Sequence, residues 1–412
     1  MEHTTYRKHN LLEKVLIYLT PLIYWTGYDY IGFDTSILKL IMFAYTLFLL
    51  LYCYKGIFVS RYKKGSYNWY MRCWLFLIFV SILMSFLFWG QGVSLGFRAT
   101  GMYFAFLYYF ALQKANASQK DVIKVIGLYS IIYLFLYLYG ISQAPVSVFS
   151  SGDEIEQTAE RGGIFRISIK SFDVVCLMYL CALAKIRGGD VMKVLPVLVF
   201  GLIMIFLALS RMIIAATLLI SLFFIISKVK FRNKIIILLL SVVAVVYLGH
   251  NSTINEVVGS MFEMTEDQMS DRSASNTNLR VVEYQTAFST YPRNAVTWLF
   301  GCGCPHPLSS YGHYELTLMN NIGFNRSDAG YPAILITFGI FGLLLFCALI
   351  LKTCRQKVQP DYFGFKLYMV FIALVNLFQN ATGWFSIAIC IALYMLNMNE
   401  IDNFNRKKYE VV

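Results

Sequence analysis

"KVLPVLVFGLIMIFLALSRMIIAATLLISLFFIISK", Lys193 to Lys228, encloses 34 residues that carry a single charge, Arg211. As one helix those residues would run about 51 Å, against roughly 30 Å of hydrocarbon in a bilayer. Both ends are basic, so the stretch crosses twice and returns to the side it left. "ALSRM" is then a tight turn that lifts Arg211 to the far surface. The alternative leaves an arginine mid-membrane, at a cost of roughly 2.5–3.5 kcal/mol on insertion scales. The hairpin wins.

The remainder of the 412 residues follows the same pattern. The chain is 58% hydrophobic and only 14% charged, where a soluble domain averages about 25% charged. The composition predicts an all-α polytopic membrane protein, a single integral membrane domain over residues 1–412. We place about twelve transmembrane helices at 15–27, 36–54, 72–90, 97–113, 121–142, 168–185, 194–210, 211–227, 235–249, 329–351, 366–379 and 381–398. The first apolar run has no small-residue cleavage site after it and is read as a retained span.

Charge orients these spans. With them, 25 of the 35 basic residues but only 8 of the 23 acidic ones fall on one side, which by the positive-inside rule puts both termini in the cytoplasm. The net charge of +12 is spread over short clusters between spans, which excludes nucleic acid as the reason for it. Nine cysteines are scattered, mostly within spans, without metal-ligand spacing. Cys302 and Cys304 flank Gly303 in a turn and suggest no role.

Two outer loops exceed the usual connector, 144–167 and 250–328, and long structured loops more often carry function than connect. In the second, Val281, Tyr284, Phe288 and Tyr291 recur at helical spacing before Pro292. This stripe predicts a helix lying at the membrane interface or capping the bundle.

The outer side should be poor in arginine, yet it gathers Arg161 and Arg166 in the first loop, Arg211 at the hairpin tip and Arg280 at the start of the interfacial helix. Arg272, Arg293 and Arg326 share the second loop, and Lys39, Arg98 and Lys170 stand at span ends. Arginine's planar fork binds phosphate oxygens bidentately and stays charged, so a lipid-linked pyrophosphate suits Arg166, Arg161, Arg211 and Arg280. Pairing with acidic neighbours such as Glu283 is the competing explanation, and the favoured one for Arg272 and Arg293. Asp328 stands at the mouth of a span, as a base for an attacking hydroxyl or as the cap of the helix beginning near Tyr331. His306 and His313 follow the turn through Gly301 and Gly303 and are alternative bases or ordinary loop histidines. Asp29 and Asp34 are expected to pair with Lys39.

Three segments resemble bacterial polysaccharide repeat-unit polymerases (Wzy) and the related O-antigen ligases. "RGGIFRISIK" matches an arginine-led segment before a span, through Arg166 or Arg161. "FLALSRMIIAATLLI" resembles the family's "SRG" at a hairpin tip, with Met212 in place of glycine. Arg280 precedes the "G-x-G" of "LFGCGC", followed by Asp328 and "FGIFGLL". Asp328 sits where ligases and many polymerases carry histidine. The match runs across roughly residues 140–350.

The resemblance implies a glycosyltransferase of the bacterial inner membrane, working on the periplasmic face. It would move a growing glycan from undecaprenyl pyrophosphate to the non-reducing end of a lipid-linked repeat unit. It implies membrane lipid and lipid-linked oligosaccharides as substrates and partners, with a chain-length regulator and a flippase alongside. Arg280, Asp328 and His313 are the catalytic candidates. No metal or cofactor is needed where arginines neutralise the phosphates. O-antigen ligase, another polyprenyl-phosphate-dependent transferase and a transporter of lipid-linked glycans are the alternatives. Transport would call for charges inside the bundle and short outer loops.

Overall fold

The computed structural model describes residues 9–24, 35–59, 66–146, 172–188, 191–231, 233–235, 279–291 and 294–410, with single positions 148, 160, 161, 164, 165, 167, 169, 256 and 259. Apart from one two-residue pair, Glu160–Arg161 against Ile164–Phe165, its secondary structure is helical. The protein is an all-α polytopic membrane protein. Four described helices are long and apolar enough to cross a bilayer: Tyr67–Trp89, Gln119–Gln143, Arg211–Lys228 and Gly330–Arg355. The expected spans coincide with helices or broken helices, except 235–249, almost all of which lies outside the described residues.

These helices are apolar all round, as a lipid-facing helix must be. In Tyr67–Trp89, Met71, Trp74, Leu75, Ile78 and Ile82 are buried while Phe76, Leu83 and Leu87 stand on the outside. Trp74 lies at the centre, its ring 5.2 Å from Phe338 and 5.6 Å from Phe106. The hairpin read from Lys193–Lys228 is present: Val191–Leu207 and Arg211–Lys228 are separated by three residues, with Leu209 at φ 49° closing the turn.

Residues assigned to one side by charge gather at one end. Lys352 Nζ lies 3.3 Å from Glu400 Oε1, and Ser66 Oγ donates to the same carboxylate at 2.9 Å. His9 meets Asp121 at 3.0 Å. The opposite end carries the second long loop, whose Ser310 Oγ donates to Trp89 O at 2.9 Å. Among its described residues that loop holds the helices Leu279–Ser289, Ala295–Phe300 and Ser310–Ile322.

One span is broken where the loop meets it. Gly330–Arg355 loses helical geometry at Gly339, at φ 68° and ψ −169°. A broken span strands backbone groups that lipid cannot satisfy. The loop repairs this: Cys302 N donates to Ile336 O at 2.6 Å. The approach demands glycine on both sides. A Cβ at Gly301 would lie 2.5 Å from the Thr337 carbonyl, and one at Gly339 would lie 2.2 Å from Leu299 O.

Candidate functional site

The helix Leu279–Ser289 forms where the apolar spacing predicted one, but it is turned inside out relative to a soluble helix. Its inward face is Glu283, Thr286 and Ala287, all buried, while Val281 and Phe288 are about half exposed. An outward apolar face is what the membrane interface favours. Tyr291 is a correction to the stripe. The helix ends at Ser289, and Tyr291 is buried beside Tyr311 and Phe324 instead of lying with Val281 and Phe288. Tyr284 Oη donates to Leu377 O at 3.0 Å, docking the helix on the turn between the last two long helices.

Arg280 sits in the first turn of this helix. Its Nη1 donates to Glu283 Oε1 and Oε2 at 3.1 and 2.9 Å and to the main-chain oxygen of Asp328 at 2.6 Å. The Asp328 carboxylate lies 3.6 Å from the same nitrogen. Arg280 and Asp328 are each about 40% exposed, whereas the Glu283 side chain is fully enclosed. Burial drives the Glu283 carboxyl up to about 7, against the downward pull of Arg280 and with a further upward push from Asp328.

Asp328 closes the short 3₁₀ turn Arg326–Asp328, which Asn325 caps by accepting from Ser327 N at 3.1 Å. Ser327 O accepts from Asn380 N at 2.9 Å, and Asn376 O accepts from Tyr331 N at 3.1 Å, tying this turn to the same distal loop. The reading of Asp328 as a helix cap is corrected here. Ala329 occupies the cap position of Gly330–Arg355, and no side chain caps it. The Asp328 side chain accepts from Ser327 Oγ at 3.1 Å and faces Arg280.

Arg326, grouped by sequence with the outer-face cations, is mostly enclosed and structural. Its Nε donates to Glu315 Oε1 at 2.8 Å, Nη1 to Gly303 O at 2.9 Å, and Nη2 to Tyr311 Oη at 2.8 Å. Tyr291 Oη donates to the same Glu315 oxygen, and the guanidinium lies 5.5 Å from the Tyr291 ring. Arg326 thus holds the Gly301–Gly303 turn from behind. Cys302 and Cys304 are free thiols buried in that turn and act as packing.

Arg211 begins the second arm of the hairpin. Arg161 lies in the short strand pair, and Arg166 is outside the described residues, as are Arg272, Arg293, Asp29 and Asp34. His313 is exposed on Ser310–Ile322, and its bonds among the described residues are main-chain. The group brought together is Arg280, Glu283 and Asp328. Sequence reading named Glu283 only as a neutralising neighbour; the usable signal was its i,i+3 spacing from Arg280. Among the described residues, no group of three or more His, Cys, Asp or Glu side chains is placed to hold a metal.

No curated protein and no solved structure matches the chain. Residues 196–347, about a third of the length, match the family model Wzy_C, described as O-antigen ligase. The matched segment contains Arg211, Arg280, Glu283, the Gly301–Gly303 turn and Asp328. Over that segment the chain is similar to the O-antigen ligase- and polymerase-like group of membrane proteins.

Proposed function

We propose that this protein is a glycosyltransferase that moves a glycan from undecaprenyl pyrophosphate to a hydroxyl acceptor, acting as a repeat-unit polymerase. The observation that carries the reading is the Arg280–Glu283–Asp328 group inside the segment similar to O-antigen ligases. In the reaction the bond between the anomeric carbon and the pyrophosphate oxygen breaks, and its electron pair leaves on the pyrophosphate. The acceptor oxygen bonds to the anomeric carbon and gives its proton to Asp328. Negative charge grows on the leaving phosphate, and a guanidinium already fixed in place stabilises it without reorganising. The fixed Nη1 orients the rest of the fork. Arg211, Arg161 and Arg166 are proposed as further phosphate contacts.

The family description itself favours a second reading, an O-antigen ligase whose acceptor is a lipid A core. Purified protein in liposomes, given one lipid-linked repeat unit, separates the readings. A ladder of products supports polymerisation. Transfer only to an added lipid A core supports the ligase. Passage of the glycan across the bilayer without bond formation would overturn both in favour of transport.

A further inference from the structure

A second group of basic side chains lies beside the Gly301–Gly303 turn. Gln91, almost fully buried, organises it. Its Nε2 donates to Cys304 O at 2.9 Å, and its Oε1 accepts from His306 N at 2.9 Å and from Ser309 Oγ at 2.7 Å. Gln91 also packs on the short helix Val93–Ala99, where a Cβ at Gly96 would meet its Nε2 at 3.7 Å. That helix carries Arg98, which is exposed. The adjacent Phe97 ring meets Phe43 edge-on at 4.9 Å, and Phe43 stands one turn beyond Lys39 on Thr35–Tyr52. Three segments distant in sequence therefore bring Lys39, Arg98 and His306 to the same end of the bundle.

The electrostatics agree with that placement. The His306 imidazole is held below its ordinary pKa, first by burial and then by the charges of Arg98 and Lys39. Arg280 and Arg326 each have a carboxylate partner. Among the described residues, no carboxylate pairs with Arg98 or Lys39. Like charges gathered at one end repel one another, and a bound anion relieves that repulsion. The surroundings are suited to a lipid: Leu40 is 66% exposed and Val93 58%, both aliphatic.

We propose that Lys39, Arg98 and His306 form a second phosphate site, which takes the pyrophosphate of the acceptor lipid while Arg280 serves the donor. This rests on the polymerase reading above. Chain extension at the non-reducing end places the acceptor's hydroxyl and its pyrophosphate at opposite ends of a repeat unit. Two separate phosphate sites are what such a substrate pair needs, and the Gly301–Gly303 turn is linked toward both, to Gln91 through Cys304 O and to Arg326, two residues before Asp328, through Gly303 O.

Native mass spectrometry in detergent with undecaprenyl pyrophosphate tests the site apart from turnover. The intact protein should bind two molecules per chain. Lys39→Ala/Arg98→Ala should bind one, as should Arg280→Ala. Both residues of the double variant are exposed, so the fold should tolerate it, which a melting curve checks. Two molecules bound to the double variant would overturn the site. Equal competition at it by phosphatidylglycerol would show a general headgroup site and overturn the acceptor role.

In the extension assay, wild type should prefer a pyrophosphate-linked acceptor over the same glycan without its lipid by about tenfold or more, the worth of one or two charged hydrogen bonds. The double variant should lose that preference. A ladder-negative wild type that still binds two lipids, one of them lost in the double variant, would sink the polymerase reading and the acceptor role with it. The phosphate site itself would then stand.

Discussion

Arg280 Nη1 lies 2.9 Å from Glu283 Oε2 and 2.6 Å from the main-chain oxygen of Asp328, forty-eight residues further along the chain. One terminal nitrogen is thus committed to the protein. If the guanidinium stabilises a leaving pyrophosphate, Arg280→Ala should lower chain extension by about 10²–10³-fold, the loss typical of one preorganised donor. Arg280→Lys should recover little, because an ammonium lacks the planar fork. Turnover in liposomes measures both, and full activity in the alanine variant would remove Arg280 from the site.

Glu283 makes this arginine sensitive to pH. Its folded pKa of about 7 stands above the ordinary 4.5. Between those values the folded protein holds a proton that the unfolded chain has released, so this group's contribution to stability declines as pH rises through that window. Above about pH 7 the ionised carboxylate would also compete with the proposed phosphate for Arg280. A glycan-linked pyrophosphate is a diester with no proton to lose near neutrality, so the competition should be visible. Affinity for it should fall on the order of tenfold from pH 6 to pH 8, reciprocal to a shift of about one pKa unit. Glu283→Gln should flatten that profile; an unchanged slope would show that another group controls it.

Asp328 is proposed as the base, and its main-chain oxygen holds Arg280 whatever its side chain. Asp328→Asn should therefore keep the fold and the lipid binding while lowering extension by about 10²–10⁴-fold, the usual contribution of general base catalysis. Undiminished polymerisation in this variant would leave the carboxylate only its contacts to Arg280 and Ser327.

The Arg326–Glu315 pair is enclosed among Tyr291, Tyr311 and Gly303. Arg326→Met should destabilise by about 1–3 kcal/mol, because it removes the charged partner of a largely enclosed carboxylate. Changing Glu315→Gln at the same time should recover part of the loss. Thermal melting in detergent reads both, and additive effects would show that the two side chains do not act as a pair.

Gly301→Ala should be worse than its size suggests. The residue sits at φ 82°, and its Cβ would lie 2.5 Å from the Thr337 carbonyl, beside the break at Gly339. The left-handed backbone alone costs about 1–2 kcal/mol, and the clash adds to it. Reduced yield of folded protein by size-exclusion chromatography is the expected result. A normal yield would mean that the turn and the broken span are free to separate.

Much of this was legible beforehand. The Lys193–Lys228 hairpin, the membrane class and the helix after Asn278 follow from helix length, from the cost of a charge in hydrocarbon and from apolar spacing. Those quantities are local, so a single stretch contains them. The fates of the arginines are not local. Arg280 and Arg326 look alike in the sequence, yet one is partly exposed at the interface and the other is enclosed. The break at Gly339 reads as ordinary span until Cys302 is seen donating into it. The sequence determined that the chain crosses the membrane and that a helix follows Asn278. Only the tertiary structure decided which charges are buried and which face outward, because burial and counter-charge are supplied by elements far away along the chain.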